Sequence, residues 1–206
     1  MDRRISFSTY RIIDLFFFAL MVGVAEYIIV MAASRWFQLE LYTVSVTAGI
    51  TAIVYMRWGP FGIIHAVLGG LVYVLANPAA LTGDELFREI LIYCVGNVFS
   101  ALVLILFVNP GRAKIRKNVL TAIGFGLLTQ LLMEVGRGIV SMFFNFGPDA
   151  IRKFITYDAL TFLFTALIVG IASRLDGIFE YQRDYLLRLQ EEREKEKEDG
   201  FKEGET

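Results

Sequence analysis

Ionisable and amide side chains recur at intervals of three and four residues in one segment of the chain, at Gln130, Glu134, Arg137, Ser141 and Asn145. This spacing places them on one stripe of a helix. A polar side chain at the centre of a membrane helix costs about 2.5 to 3.5 kcal/mol, so the stripe is expected to face protein or water. A carboxylate, a guanidinium and amides on one stripe favour the binding of a polar or zwitterionic solute.

Two other segments carry shorter polar stripes, Tyr93, Asn97 and Ser100 in one and Asp158, Thr161 and Thr165 in the other. We expect these stripes to meet the first at one depth, with Glu26 and Tyr73 at a comparable level. The alternative is that Glu134 and Arg137 only pair along one helix turn and lower each other's insertion cost. The predicted substrate-binding residues are Glu134, Arg137, Asn97, Asp158, Tyr93, Tyr157, Thr161, Asn145 and Glu26.

The remaining chemistry-bearing residues are read as structural. His65 is the only histidine and is predicted to be packed, Asp14 is interpreted as interfacial, and Cys94 as a packing residue. The chain has no HExxH, no GxSxG, no phosphate-binding glycine loop and no cysteine–histidine pair for a metal. We therefore expect no enzyme activity, no cofactor, no metal and no nucleic-acid partner.

The elements that carry these residues are predicted to be membrane helices. Of 206 residues, 56% are apolar and only 20% are charged, more apolar surface than a soluble domain of this size can bury. Six apolar stretches approach the length that spans about 30 Å of hydrocarbon. The sequence thus predicts an all-α polytopic membrane protein, a six-transmembrane-helix bundle with helices at about 12–34, 39–56, 60–77, 89–108, 117–146 and 154–175.

Orientation follows from Lys and Arg in the short connections, which tend to stay cytoplasmic. Nine lie on the side of the two termini and four on the other, so both termini are predicted to be cytoplasmic in the inner (plasma) membrane. The polar cavity would then open outward. Residues 1–175 form the predicted binding domain, and 176–206, with 11 acidic and 6 basic side chains, a charged cytoplasmic tail that is helical or disordered.

Small residues at intervals of four predict close helix contacts, because association in lipid depends on close backbone approach. Ala19 and Gly23 form such an element in helix 1, with others in helices 3 and 6. Internal packing and a partner protein both account for such patterns.

The chain resembles the substrate-binding S components of energy-coupling factor (ECF) transporters, the bacterial membrane proteins that capture vitamins for uptake. Four features carry the resemblance over residues 10–175: the six-helix chain near 200 residues, the Arg-Trp-Gly-Pro-Phe-Gly segment leading into Gly69 and Gly70, the small-residue element of helix 1, and the outward polar cluster. In the family that element is usually alanine-xxx-alanine, whereas position 23 here is glycine.

The resemblance implies a subunit that binds a small vitamin-like solute and does not hydrolyse ATP. It implies delivery through a transmembrane T component and two cytoplasmic ATPase subunits, with Ala19 and Gly23 on the docking surface. Two alternatives stay open. One is a membrane sensor or scaffold that signals through the charged carboxyl-terminal tail, and the other is a subunit of a cell-envelope assembly.

Overall fold

The computed structural model describes residues 6–36, 43–77, 83–108, 111–189 and 191. Within these ranges all regular secondary structure is helical. The α-helices are α1 (Phe7–Trp36), α2 (Thr47–Trp58), α3 (Gly62–Ala76), α4 (Gly83–Val98), α5 (Arg112–Lys117), α6 (Val119–Met142), α7 (Ala150–Tyr157) and α8 (Ala159–Ala172). Two 3₁₀ segments, Gly59–Phe61 and Phe99–Phe107, follow α2 and α4, and residues 182–189 are helical again.

Four helical stretches are long and apolar enough to cross a membrane, namely Phe7–Trp36, Thr47–Ala76, Gly83–Phe107 and Val119–Met142. Helices α7 and α8 are bent by 55° at Asp158, and they make a fifth candidate if the bent pair is one span. By length and hydropathy the chain is therefore a multi-pass membrane protein with four or five candidate spans.

The chain reverses between α2 and α3. Gly59 has a φ of 63°, a left-handed conformation that favours glycine, and Pro60 follows it. An added methyl group on Gly69, in the middle of α3, would collide with the Thr47 side chain at the start of α2. Helices α2 and α3 consequently lie side by side as a hairpin, although together they pass as one candidate span of 30 residues.

Helix α2 forms the centre of the bundle. All twelve of its residues are buried, and it contacts α1, α3, α6 and α8. Helix α1 lies at the periphery and buries only Phe18, Val22, Glu26 and Val30. This spacing of four drifts around the helix, so Asp14 and Glu26 both face protein at different heights.

Several helix boundaries differ from the predicted ones. Helix α2 begins at Thr47 rather than 39, because the described residues before it are not helical although they are partly or fully buried. The predicted helix 117–146 ends at Met142 and is preceded by the separate helix α5. The predicted helix 154–175 is broken at Asp158 and ends at Ala172. Residues 39–42 of the second predicted helix lie outside the described residues.

Arg57 is a buried arginine at the end of the bundle beside the α2–α3 turn. Arg57 donates to both carboxylate oxygens of Asp14, from Nε at 2.9 Å and from Nη2 at 2.6 Å. Its Nη1 donates to the carbonyls of Gly177 and, at 3.2 Å, Ile178. Trp58 Nε1 donates to the same carboxylate at 2.5 Å. We call these five residues the Arg57 cluster; it ties α1, α2 and the carboxyl-terminal segment together.

The segment after α8 packs against the bundle. Phe179 is 2% exposed and stacks edge-on against Phe125 of α6. Gln182 is fully buried, donates to the Gly177 carbonyl at 2.6 Å and accepts from the Tyr10 hydroxyl at 3.1 Å. Residues 177–182 thus lie against the helices rather than extending away from them. Residues 190 and 192–206 of the predicted charged tail lie outside the described residues.

Candidate functional site

The polar stripe of α6 meets α4 and the α7–α8 break around Arg137. Arg137 Nε donates to Asn97 at 2.8 Å, and Nη1 donates to Asp158 at 2.8 Å and to Glu134 at 3.1 Å. The guanidinium carbon lies 4.6 Å from the centre of the Tyr93 ring. Four of these five residues are at most 5% exposed, and Tyr93 is half-buried. We call Tyr93, Asn97, Glu134, Arg137 and Asp158 the Arg137 cluster.

Close backbone packing between α4 and α6 positions the cluster. An added methyl group on Gly96 would lie 2.6 Å from the Arg137 Cα, and one on Gly136 would collide with the Gly96 carbonyl. Glycine at both positions lets Asn97 and Arg137 come within hydrogen-bonding distance across the two helices. Asp158 reaches the same guanidinium because α7 and α8 meet at it with a 55° bend.

The partners of Arg137 are themselves held in place. Asn97 donates to the Ala66 carbonyl at 2.8 Å, which fixes its amide so that the oxygen faces Arg137. Gln130 donates to Glu134 one turn away on α6. Tyr73 of α3 stacks on Tyr93 with ring centres 4.6 Å apart. The cluster is thus a preorganised network with an aromatic pair on one side.

Arg137 retains a hydrogen-bonding capacity that this network does not use. Within the described ranges, no hydrogen bond involves its Nη2. Glu134 and Asp158 give it two carboxylate partners for one positive charge. A guanidinium with one terminal nitrogen unbonded can still donate to a carboxylate or carbonyl of a bound molecule.

Glu26 and Thr161 lie beside this cluster and bind the amino-terminal end of α2. Glu26 Oε2 accepts from the backbone nitrogens of Val46 at 2.9 Å and Thr47 at 3.1 Å, and from the Thr47 hydroxyl at 2.8 Å. Thr161 accepts from the Ser45 nitrogen at 3.1 Å. The first N–H groups of any helix lack partners within it, so a helix that begins inside a bundle needs such acceptors. Glu26 also interacts electrostatically with Arg137.

Two of the predicted residues are not brought into the cluster. Asn145 lies beyond the end of α6, is exposed and has a φ of 63°, which takes it off the helical stripe. Tyr157 contributes its backbone carbonyl to the Thr43 nitrogen at 2.9 Å, while its side chain is 43% exposed. Asn145 departs because α6 ends at Met142, and Tyr157 departs because the predicted helix 154–175 is broken at Asp158.

The predicted docking residues Ala19 and Gly23 are half-buried on α1. No atom lies within 4 Å of the position that a Cβ on Gly23 would take. Gly23 lines an apolar groove of about 390 Å³ between α1 and α3, with Val24, Tyr27, Val72, Leu75 and Ala76.

No family model, curated protein or solved structure matches this chain. The resemblance to S components therefore stays a prediction from the residues quoted above. Among the described residues, no group of three or more His, Cys, Asp or Glu side chains is arranged to hold a metal ion. The arrangement can bind a polar molecule through charge-assisted hydrogen bonds and aromatic contact.

Sequence reasoning misses the Arg57 cluster. Asp14 is predicted to be interfacial, yet its side chain is 13% exposed and paired with Arg57, which is 43 residues away along the chain. One signal in the sequence could have indicated this pair. A carboxylate near the end of a membrane helix needs a partner, and Arg57, between the second and third predicted helices, is a basic residue on the same predicted side of the membrane as Asp14. His65 is packed as predicted, with its ring nitrogens near the carbonyls of Leu15 and Phe61.

Proposed function

We propose that this protein is a membrane-embedded binding subunit that captures a small, polar, vitamin-like solute for uptake. The observation that carries the proposal is the Arg137 cluster, in which buried polar groups from α4, α6 and the α7–α8 break converge on a guanidinium whose Nη2 is unbonded within the described chain. A pairing role alone accounts for Arg137 with Glu134. It does not require Asn97 and Asp158, on two other elements, to bind the same guanidinium.

In this proposal the chain crosses the membrane six times. The second crossing is residues 43–58, where a short buried stretch and α2 together cover about 30 Å at the rises of extended and helical chain. Helix α3 is the third crossing, and α7 with α8 is the last. The excess of Lys and Arg on the side of the termini then puts both termini in the cytoplasm and the Arg137 cluster toward the outside.

The protein itself would not hydrolyse ATP, and the solute would be delivered after association with a T component and two cytoplasmic ATPase subunits of an ECF-type complex. The apolar groove at Gly23 supports a docking surface there, since it leaves room for close approach of another helix. A Cβ at Gly23 would meet no atom within 4 Å, so we expect Gly23→Leu to occupy that room. We expect it to abolish co-purification of the ATPase subunits, with Gly124→Leu as control because Gly124 is equally free of neighbours.

The binding function is tested by native mass spectrometry of the purified protein. The wild type should carry a small molecule, and Arg137→Gln should lose it while keeping its helical circular dichroism signal. The matched control is Arg152→Gln, the same change at an exposed position in α7. If the wild type carries no molecule and a solute screen gives the same response for wild type and Arg137→Gln, the binding proposal is wrong.

The alternative function, a membrane sensor or scaffold, is favoured by one observation. Residues 177–182 pack on the bundle through Arg57 and Tyr10, so a shift of α1 or α2 would be felt by the carboxyl-terminal segment. Deleting residues 192–206 discriminates the two. Solute retention should be unaffected if the protein is a transporter subunit, whereas a sensor would lose binding of its cytoplasmic partner.

A further inference from the structure

The two carboxylate oxygens of Glu26 have different surroundings. Oε2 accepts three hydrogen bonds at the amino-terminal end of α2. Oε1 is buried and has no hydrogen-bond partner among the residues that the structure describes. Glu26 as a whole is 0% exposed. A buried carboxylate oxygen without a donor is costly, so this oxygen is a candidate acceptor for a group that the protein does not supply.

The charges around Glu26 Oε1 determine whether a cation or an anion is favoured beside it. Glu26, Glu134 and Asp158 supply three carboxyl groups to a region in which the described chain places one guanidinium, that of Arg137. A positively charged group entering the region reduces the excess of negative charge, whereas an anion increases it. Buried charge without compensation is strongly unfavourable, so a cationic group is favoured.

Geometry adds a second constraint. Tyr73 stacks on Tyr93, whose ring lies under the Arg137 guanidinium. Thr47, which donates to Glu26, packs against Gly69 of α3, one turn before Tyr73. Glu26 Oε1 and Arg137 Nη2, an acceptor atom and a donor atom without partners in the described ranges, therefore lie near one aromatic pair. A molecule with a protonated amine, a flat ring and a hydrogen-bond acceptor matches all three features.

We propose that Glu26 Oε1 binds the protonated amine of the solute, so that the solute class is small amine-bearing compounds with a flat ring. This inference rests on the proposed binding function and narrows it. A capping residue alone would use Glu26 through Oε2 only. The second oxygen makes Glu26 a specificity-determining residue, and the same carboxylate connects solute binding to the position of α2.

The variant that separates the two roles is Glu26→Gln. Its side-chain carbonyl can still accept from Val46 and Thr47, so the α2 end keeps its acceptor, but the negative charge is lost. Thr51→Val is the matched control, since it removes a buried hydroxyl of α2 that has no hydrogen-bond partner among the described residues and leaves the charge unchanged. Circular dichroism and melting temperature establish that each variant is folded.

The probes are three pyridines of similar size that differ in charge: 3-(aminomethyl)pyridine, 3-(hydroxymethyl)pyridine and nicotinate. Thermal stabilisation of the wild type should occur at a concentration at least tenfold lower for the amine than for nicotinate. Glu26→Gln should weaken binding of the amine at least tenfold and leave binding of the alcohol unchanged, while Thr51→Val should keep the preference for the amine.

Three results would overturn the inference: equal or tighter binding of nicotinate, an amine response that Glu26→Gln does not change, or no stabilisation by the amine. These outcomes are distinct from failure of the binding function. If the wild type carries an anionic molecule that Arg137→Gln loses and Glu26→Gln keeps, the protein is a binding subunit and only the assignment of an amine is wrong.

Discussion

Arg57 and Arg137 lie toward the two ends of the buried bundle and make different use of the same side chain. Arg57 uses all three guanidinium nitrogens, has one carboxylate for its one charge, and fills the rest with backbone carbonyls. Arg137 binds two carboxylates and an amide and, within the described residues, leaves Nη2 unbonded. A guanidinium with balanced charge and a hydrogen bond at every nitrogen holds elements together. One with an excess of carboxyl partners and a nitrogen left unbonded within the described residues can also receive a ligand.

Among the variants that test this contrast, Asp14→Ala should have the largest effect on the free energy of unfolding. Arg57 would lose the carboxylate that binds two of its nitrogens, and breaking a buried ion pair costs about 3–5 kcal/mol. We expect the free energy of unfolding to fall by this amount in a reversible denaturation series in mixed micelles. Asp176→Ala, at an exposed position of the same end, should change it little. An equal effect of the two variants would remove the structural role from the Arg57 cluster.

The next effect concerns the packing that positions Arg137. In Gly96→Ala the added methyl group meets the Arg137 backbone, and overpacking of this kind costs about 1–3 kcal/mol. The control is Gly124→Ala on α6, where nothing lies within 4 Å and alanine favours the helix by up to about 1 kcal/mol. The melting temperature should fall for the first and hold or rise for the second. If Gly96→Ala is destabilised but still retains the solute, the close packing of α4 on α6 is not required for binding.

Asp158→Asn should have a smaller effect on folding, in contrast to Asp14→Ala. Arg137 keeps Glu134, and the asparagine carbonyl can still accept from it, so we expect a change within about 1 kcal/mol in the free energy of unfolding. The solute that the wild type retains in native mass spectrometry should nevertheless be lost from this variant. A fall as large as that of Asp14→Ala would mean that both arginines are structural. Asp149→Asn, exposed at the start of α7, is the control.

The smallest expected effect on stability is that of an exposed ion pair near the Arg57 cluster. Arg188 binds Glu180 at 3.1 Å, but its side chain is 44% exposed, and such pairs contribute about 0.2–1 kcal/mol. Arg188→Gln should lower stability within this range at low salt, and the difference from wild type should shrink at high salt. Arg183→Gln, an exposed neighbour, should leave stability unchanged at both salt concentrations.

The amino-acid sequence predicts the Arg137 cluster better than its surroundings. Buried ionised groups need partners, so the spacing of Glu134 and Arg137 on one helix, together with the polar residues of two neighbouring helices, indicates that these groups converge. Five predicted residues form the cluster, and Glu26 and Thr161 adjoin it at the α2 end. The prediction extends the helix of Asn145 too far and misses the break after Tyr157, since spacing alone carries no information on where a helix ends.

Other features cannot be read from periodicity. The late start of α2 is hidden because apolar extended chain and apolar helix look alike in composition. The Asp14–Arg57 pair joins residues 43 positions apart, a distance at which no local pattern exists. The bend at Asp158 also escapes prediction, because no proline or glycine marks it and the polar residue itself fits a continuous helix.

Helix α2 constrains how the protein is made. It covers only about 18 Å, carries Thr47, Thr51 and Arg57, and is in contact with α1, α3, α6 and α8. Such a segment is too short and too polar to dissolve in lipid alone. During synthesis we expect α2 to pack against α1 and α3 first, and against α6 and α8 once these helices have been translated. Biogenesis is therefore complete only when the last membrane segment has been translated.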